Sequence, residues 1–298
     1  MNDFKLYLKE KEEVVHRALE ESVAQWCDIP DSLKEAMAYS LLGGGKRLRP
    51  ILVLLACEAL GGEEKEALPF ACVVEMIHTY SLIHDDLPAM DDDDVRRGRP
   101  TNHKVYGEWM AILAGDALLT KAFGQFASAS RASSLAPEVA LELIEKMSVS
   151  VGAEGMVAGQ VRDIQSENKE ITLSELETIH HRKTGDLISF SVCLGAQLAG
   201  ANKSQLYALK EYAVRIGLAF QIQDDILDVI GDQEKIGKPV GSDEAKHKST
   251  VTGLMGLEQA RIWMERLARE AKTALQNEPS IKATPLLQLV DYLMQRDR

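Results

Sequence analysis

Apolar residues recur along nearly the whole chain at three- and four-residue intervals, as at Leu6, Val14, Val15 and Leu19, and no two β-like runs flank an Asn-Gly or Asp-Gly turn. This pattern predicts an all-α fold. The breaks are short, at 28–31, 43–45, 61–64, 133–137, 166–172 and 200–204. Thr172 followed three residues later by Glu175 has the spacing of a capping box and marks a helix start. Connections this short favour antiparallel neighbours in one bundle, so residues 1–298 are expected to form a single domain. Residues 231–250 stand apart, with three Gly, one Pro and many charges between two helical stretches. A long polar segment of that kind reads as a lid.

Charge then narrows the function classes. Lys and Arg total 34 against 46 Asp and Glu in 298 residues, a formal net charge of −12. That balance argues against a general affinity for nucleic acid or anionic membrane. Hydrophobic residues make up 45% and charged residues 27%, a globular profile, and an aromatic share of 5% favours helices packed by Ala and Leu. The longest uncharged stretch, 187–202, is shorter than the roughly 20 residues of a membrane span and carries Ser189, Ser191, Gln197 and Asn202. The N-terminus alternates acids and bases and has no targeting pattern, so a cytoplasmic location is expected. Cys27, Cys57, Cys72 and Cys193 lack CxxC spacing and read as buried free thiols. The C-terminal QRDR reads as a frayed tail.

The densest feature is SLIHDDLPAMDDDDVRRGRPTNH, in which six Asp fall within ten positions at the end of an apolar helix. Two carboxylates about 4 Å apart repel by about 4 kcal/mol at an effective dielectric near 20, so a cluster held in place implies cations nearby. Asp85 and Asp91 lie about 240° apart on a helical wheel and cannot share one face. Pro88 between them breaks or kinks the helix and swings Asp91 back toward Asp85. Such all-oxygen donors suit Mg²⁺, which joins carboxylates to substrate phosphates. EF-hand spacing is absent. A second cluster, FQIQDDILDVIGD, places Gln221, Asp224 and Asp228 at i, i+3 and i+7 on one stripe of a helix that can stay regular. Each cluster alone is equally consistent with an exposed acidic face; two together, on helices otherwise apolar, point to a metal–diphosphate clamp.

Such a clamp needs cations. GGGKRLRP supplies glycines for close backbone approach, then Lys46 and Arg49. Arg96, Arg97 and Arg99 follow the Asp run directly and are able either to pair with it or to reach a phosphate. His78, seven residues before Asp85, points within about 20° of the same direction. His180 and His181 lack HExxH spacing, and no nucleophile elbow, dinucleotide fingerprint or kinase signature is present.

The ordered set GGGKRLRP, EMIHTYSLIHDDLPAMDDDDVRRGRPTNH, LAGDALL, GMVAGQVRD, HHRKTG, FQIQDDILD and GKPVGSD resembles the trans-prenyltransferases, specifically the bacterial-type farnesyl diphosphate synthases, over roughly two thirds of the chain. The resemblance implies an antiparallel helical bundle around a deep central cavity and a homodimer. It implies that Asp85 and Asp91 bind two Mg²⁺ on the allylic diphosphate, that Asp224 binds a third, and that Asp163 supports them. It also implies that Arg96, Lys183 and Lys238 contact the allylic diphosphate, that Lys46, Arg49, His78 and Arg97 contact isopentenyl diphosphate, and that Lys183, Thr184 and Gln221 act beside the developing carbocation. The substrates implied are isopentenyl, dimethylallyl and geranyl diphosphate, with no nucleic acid and no membrane insertion.

Product length depends on what blocks the cavity below Asp85. The wheel leaves Tyr80 about 140° from the Asp85 direction and places Ser81 nearer to line. The resemblance favours an aromatic at the Tyr80 position as a C15 floor. Geranyl or geranylgeranyl diphosphate synthases are the nearest alternatives. A terpene cyclase has no use for Lys46, Arg49 and Arg97, and a noncatalytic partner subunit is expected to lose some of these positions.

Overall fold

The computed structural model describes residues 2–230 and 248–295. Residues 231–247, which include Lys238 and most of the expected lid, and residues 296–298 of the expected tail lie outside the described residues. Contacts divide the chain into two compact units, one of residues 1–54 and 63–144, the other of residues 55–62 and 145–298. The described secondary structure is helical apart from one two-stranded ribbon.

In the first unit, α1 (Asn2–Ala24), α2 (Asp31–Leu41) and α3 (Leu48–Ala59, through residue 54) precede α4 (Glu64–Asp85). The ribbon β1 (Val95–Arg96) and β2 (Arg99–Pro100) follows, then α5 (Asn102–Tyr106), α6 (Glu108–Ala132) and the first half of α7 (Pro137–Val151). Glu64 and Glu66 complement the positive N-terminal end of α4. Beyond that turn α4 is buried on nearly every side, from Ala67 and Phe70 to Ile83, as expected of a helix apolar all round. It packs chiefly on α6, where Phe70 and Phe126 meet edge to face with ring centroids 5.1 Å apart, and α1 and α2 cover it further. The helix register of α1 departs from the sequence expectation. Leu6 is exposed, and the buried stripe runs through Phe4, Leu8, Val15, Leu19 and Val23, because α1 presents to α4 the face that carries Phe4.

The second unit contains α8 (Met156–Ser166), α9 (Leu173–His180), a π-turn (His181–Gly185), α10 (Asp186–Leu198) and α11 (Lys203–Ile230). After the undescribed segment come α12 (Val251–Met255), α13 (Leu257–Gln276) and α14 (Thr284–Met294). Thr172 caps α9 with both hydrogen bonds of the capping box, as its spacing predicts. The long pair α11 and α13 builds a core of Leu218, Ile222, Ile226, Trp263, Met264 and Leu267. Gly217 lets α11 approach the π-turn so closely that a Cβ there would lie 3.3 Å from Gly185 Cα. The buried Tyr212 hydroxyl donates to Leu286 O at 3.0 Å, and burial raises its pKa. No described helix is long and apolar enough to cross a membrane. All four cysteines are free, but Cys27 is exposed and Cys193 half-buried, which corrects the expectation of four buried thiols; Cys27 lies beyond the end of α1, outside the packed stripe.

Candidate functional site

In the first unit α4 ends at Asp85, with Pro88 three residues on. The chain then curls: Met90 N donates to Leu87 O at 2.8 Å, and Asp92 N to the same carbonyl at 3.1 Å. Asp91 N donates to Asp85 O at 2.8 Å, so the backbone returns Asp91 to the helix end. This is the reversal expected from Pro88.

The Asp run leads into a tight hairpin. Arg96 pairs with Arg99 across it, and the two turn residues, Arg97 and Gly98, both have positive φ (55° and 73°), the pattern of a type I′ turn. Arg97 holds this unfavourable conformation with its guanidinium laid on Gly45 and donating to Gly44 O. A Cβ on Gly45 would sit 2.3 Å from the guanidinium carbon and displace it, and Gly45 itself has φ of 107°, so any other residue there is strained. Arg96 Nε donates to the buried Asp86 at 2.6 Å, and a second nitrogen lies 3.5 Å from Asp93. Burial opposes its charge, but Asp86, Asp93 and Asp85 together outweigh burial and hold Arg96 above its ordinary pKa.

Lys46 is exposed in the loop before α3. Arg49 Nη1 meets His78 Nε2 at 3.2 Å. An arginine only donates, so Nε2 accepts and the neutral imidazole carries its proton on Nδ1. Burial, then Arg49, Arg97, Arg96 and Arg47 in that order, hold His78 well below the usual histidine range. Tyr80 is buried, its ring 5.8 Å from that of His84, and burial followed by the charge of Asp85 pushes its hydroxyl up to about 12. The Ser81 hydroxyl donates back to His78 O at 2.9 Å.

In the second unit Lys183 and Thr184 ride on the π-turn. Gly159 of α8 makes room for it, since a Cβ there would lie 2.2 Å from Lys183 N. Such turns recur where helices carry function. Lys183 Nζ lies 2.6 Å from Asp163 Oδ2, and Lys248 Nζ approaches the same oxygen at 3.5 Å. Burial drives the neighbouring His180 down to about 4, with the charges of Asp163 and Lys183 acting in opposite senses. On α11, Gln221, Asp224 and Asp228 are partly exposed in an otherwise buried stretch, which is the single stripe expected, and Gln221 Nε2 donates to Asp224 at 3.2 Å. The adjacent Asp225 is buried and accepts from Val251 N at 2.7 Å, fixing the start of α12.

Three features of these sites gave no signal in the sequence: the π-turn, the second lysine on Asp163, and Arg47, which is buried in an ion pair with Glu75 although it stands between the exposed Lys46 and the half-buried Arg49. A helical stretch broken by HRKTG gives no periodic signal for an added residue, and a third base in a basic run gives none for burial.

Residues 30–283 match the polyprenyl synthetase family. The chain belongs to that family. The chain is 52% identical over 268 residues to the farnesyl diphosphate synthase of Geobacillus stearothermophilus, covering 90% of this chain and 89% of that one. It is 48% identical over 297 residues to a heterodimeric geranylgeranyl pyrophosphate synthase large subunit of Arabidopsis thaliana, covering 99% and 80%. Among solved structures it resembles an FPP/GFPP synthase from Zymomonas mobilis with a TM-score of 0.85 and 37% identity, covering 97% and 99%. The all-α bundle expected from the sequence is the fold of the chain.

Its aspartates fit a hard cation. Asp85, Asp91, Asp224 and Asp228 offer carboxylate oxygens, the donor type that Mg²⁺ prefers. Asp92, Asp94 and His103 form another group with ligand atoms within 4.8 Å of one another, able to hold a metal ion, although Asp94 already lies 2.8 Å from Lys104.

Proposed function

We propose that this chain joins isopentenyl diphosphate to dimethylallyl diphosphate and then to geranyl diphosphate, giving (2E,6E)-farnesyl diphosphate. The observation that carries this reading is the closure of Asp91 N on Asp85 O, which presents two carboxylates at one helix end beside a hairpin of arginines. The 52% identity to a farnesyl diphosphate synthase supports it. The family match takes in parts of both units, which supports one synthase domain.

Asp85 and Asp91 would hold two Mg²⁺ ions and Asp224 a third. When bound, Mg²⁺ neutralises the diphosphate and stabilises it as a leaving group. Arg96, Lys183 and Lys238 hold the allylic diphosphate. Lys46, Arg49, Arg97 and the neutral His78 hold isopentenyl diphosphate. Heterolysis of the allylic C–O bond leaves a carbocation and diphosphate, and each 1.36 kcal/mol that preplaced positive charge takes off that barrier raises the rate about tenfold. Gln221 and Thr184 face the developing cation. The isopentenyl double bond attacks it, and the departing diphosphate takes the proton that restores the alkene. Asp163 supports this chemistry through the lysines on its carboxylate, Lys183 and Lys248.

Tyr80 sets the product length; its burial below Asp85 supports that role, while the Ser81 hydroxyl is turned to its own helix. The exposed Trp109, Ile112 and Leu113 on one side of α6 support a homodimer, and four free cysteines support a cytoplasmic location. The test is incubation with Mg²⁺, isopentenyl diphosphate and dimethylallyl diphosphate, with sizing of the dephosphorylated products. A dominant C15 alcohol is expected. A C20 product would keep the chemistry and remove Tyr80 as the floor, and absence of metal-dependent product would overturn the reading. Tyr80→Ala is expected to shift the same assay to longer alcohols.

A further inference from the structure

The basic run Lys46-Arg47-Leu48-Arg49 contains one member that the proposed chemistry does not use. Arg47 is 2% exposed, whereas Lys46 before it is exposed and Arg49 after it half-buried. Its guanidinium donates to Glu75 of α4 at 2.5 Å and to Leu41 O, the last carbonyl of α2, at 2.8 Å. Its own carbonyl accepts from Ile51 N at 3.0 Å and so begins α3. Its backbone has φ of 48°, left-handed and costly for a residue with a side chain, and such conformations persist where the surroundings over-determine them. One side chain therefore ties together the end of α2, the start of α3 and the body of α4.

A buried ion pair is a poor source of stability, since apolar residues of similar volume often replace one without loss. The neighbours of the pair supply another role for it. Glu75 lies one turn before His78 on α4, and Arg47 lies two residues before Arg49 on α3, so the pair fixes both backbones that bring Arg49 and His78 to 3.2 Å. Lys46 is the residue next to Arg47 in the chain.

We infer that Arg47 and Glu75 are positioning residues for the isopentenyl diphosphate site, holding Lys46, Arg49 and His78 in register without touching substrate. This rests on the assignment of those three residues proposed above. The test compares Arg47→Met/Glu75→Leu, which removes both buried charges together, and Arg47→Lys, which keeps the charge but loses the fork, with Lys46→Ala and Arg49→Ala. Thermal melts establish folding, and steady-state kinetics with each substrate varied give the readout. In the folded variants KM for isopentenyl diphosphate is expected to rise about tenfold or more, with KM for geranyl diphosphate changing less than about twofold. Should the double variant not melt cooperatively, Arg47→Lys carries the same readout. If Lys46→Ala and Arg49→Ala raise the isopentenyl KM but the pair variants do not, the pair is packing only and the inference fails alone. Equal rises in both KM values would overturn it as a global effect. If Lys46→Ala and Arg49→Ala leave the isopentenyl KM unchanged, the site assignment fails and takes the inference with it.

Discussion

The two acidic motifs present carboxylates by opposite means. On α11 an uninterrupted helix places Gln221, Asp224 and Asp228 on one stripe, and spacing alone does the work. At the end of α4 the helix is broken, and Asp91 returns to Asp85 through a turn that depends on Pro88, on a left-handed Asp92 and on backbone bonds to Leu87 and Asp85. A regular helix tolerates change at its other faces. A broken one concentrates its geometry in a few residues, and the first motif is accordingly the more fragile.

That contrast is open to direct attack. The largest effect is expected at Asp85→Asn, which should lower kcat about 10³-fold by removing charge stabilisation worth several kcal/mol, with a smaller loss for Asp224→Asn; single-turnover rates with geranyl diphosphate check both, and equal losses would erase the distinction. Acid comes next. His180 is held at about 4 against an ordinary 6.5, so the unfolded chain binds the extra proton between those values. Stability is whole above about 6.5 and falls as pH drops toward 4, by about 3 kcal/mol. Urea melts at pH 7 and pH 4.5 measure it, and His180→Phe should flatten the slope.

Gly159→Ala attacks the π-turn that carries Lys183 and should cost about 1–3 kcal/mol in the same melts, because the new methyl overlaps backbone. The smallest effect sharpens the comparison most: Pro88→Ala lets α4 continue past Asp85, and the loss of kcat should be about tenfold as Asp91 loosens. An unchanged kcat would mean that the turn forms without the proline.

Local signals were the legible ones. The capping box at Thr172, the α11 stripe and the turn at Pro88 each involve residues within seven positions of one another, and each stands as expected. What escaped is held from a distance. Arg97 adopts a turn conformation that its own residue type disfavours because Gly44 and Gly45, more than fifty positions earlier, receive its guanidinium. The π-turn depends on the missing side chain of Gly159. Arg47 is buried because Glu75 lies opposite, and the buried stripe of α1 includes Phe4 and leaves Leu6 exposed because α4 covers that side. The paired Asp224 and Asp225 show the limit most plainly: adjacent and identical, one stands on the acidic stripe and the other caps a helix 26 positions away.

The distribution of thiols has a practical consequence. Cys57 and Cys72 are buried, Cys193 is half-buried, and burial pushes the Cys72 and Cys193 thiols up to about 12 and about 11. Cys27 alone is exposed. At neutral pH a maleimide fluorophore should therefore label the native chain at a single position in the first unit, without any engineered cysteine.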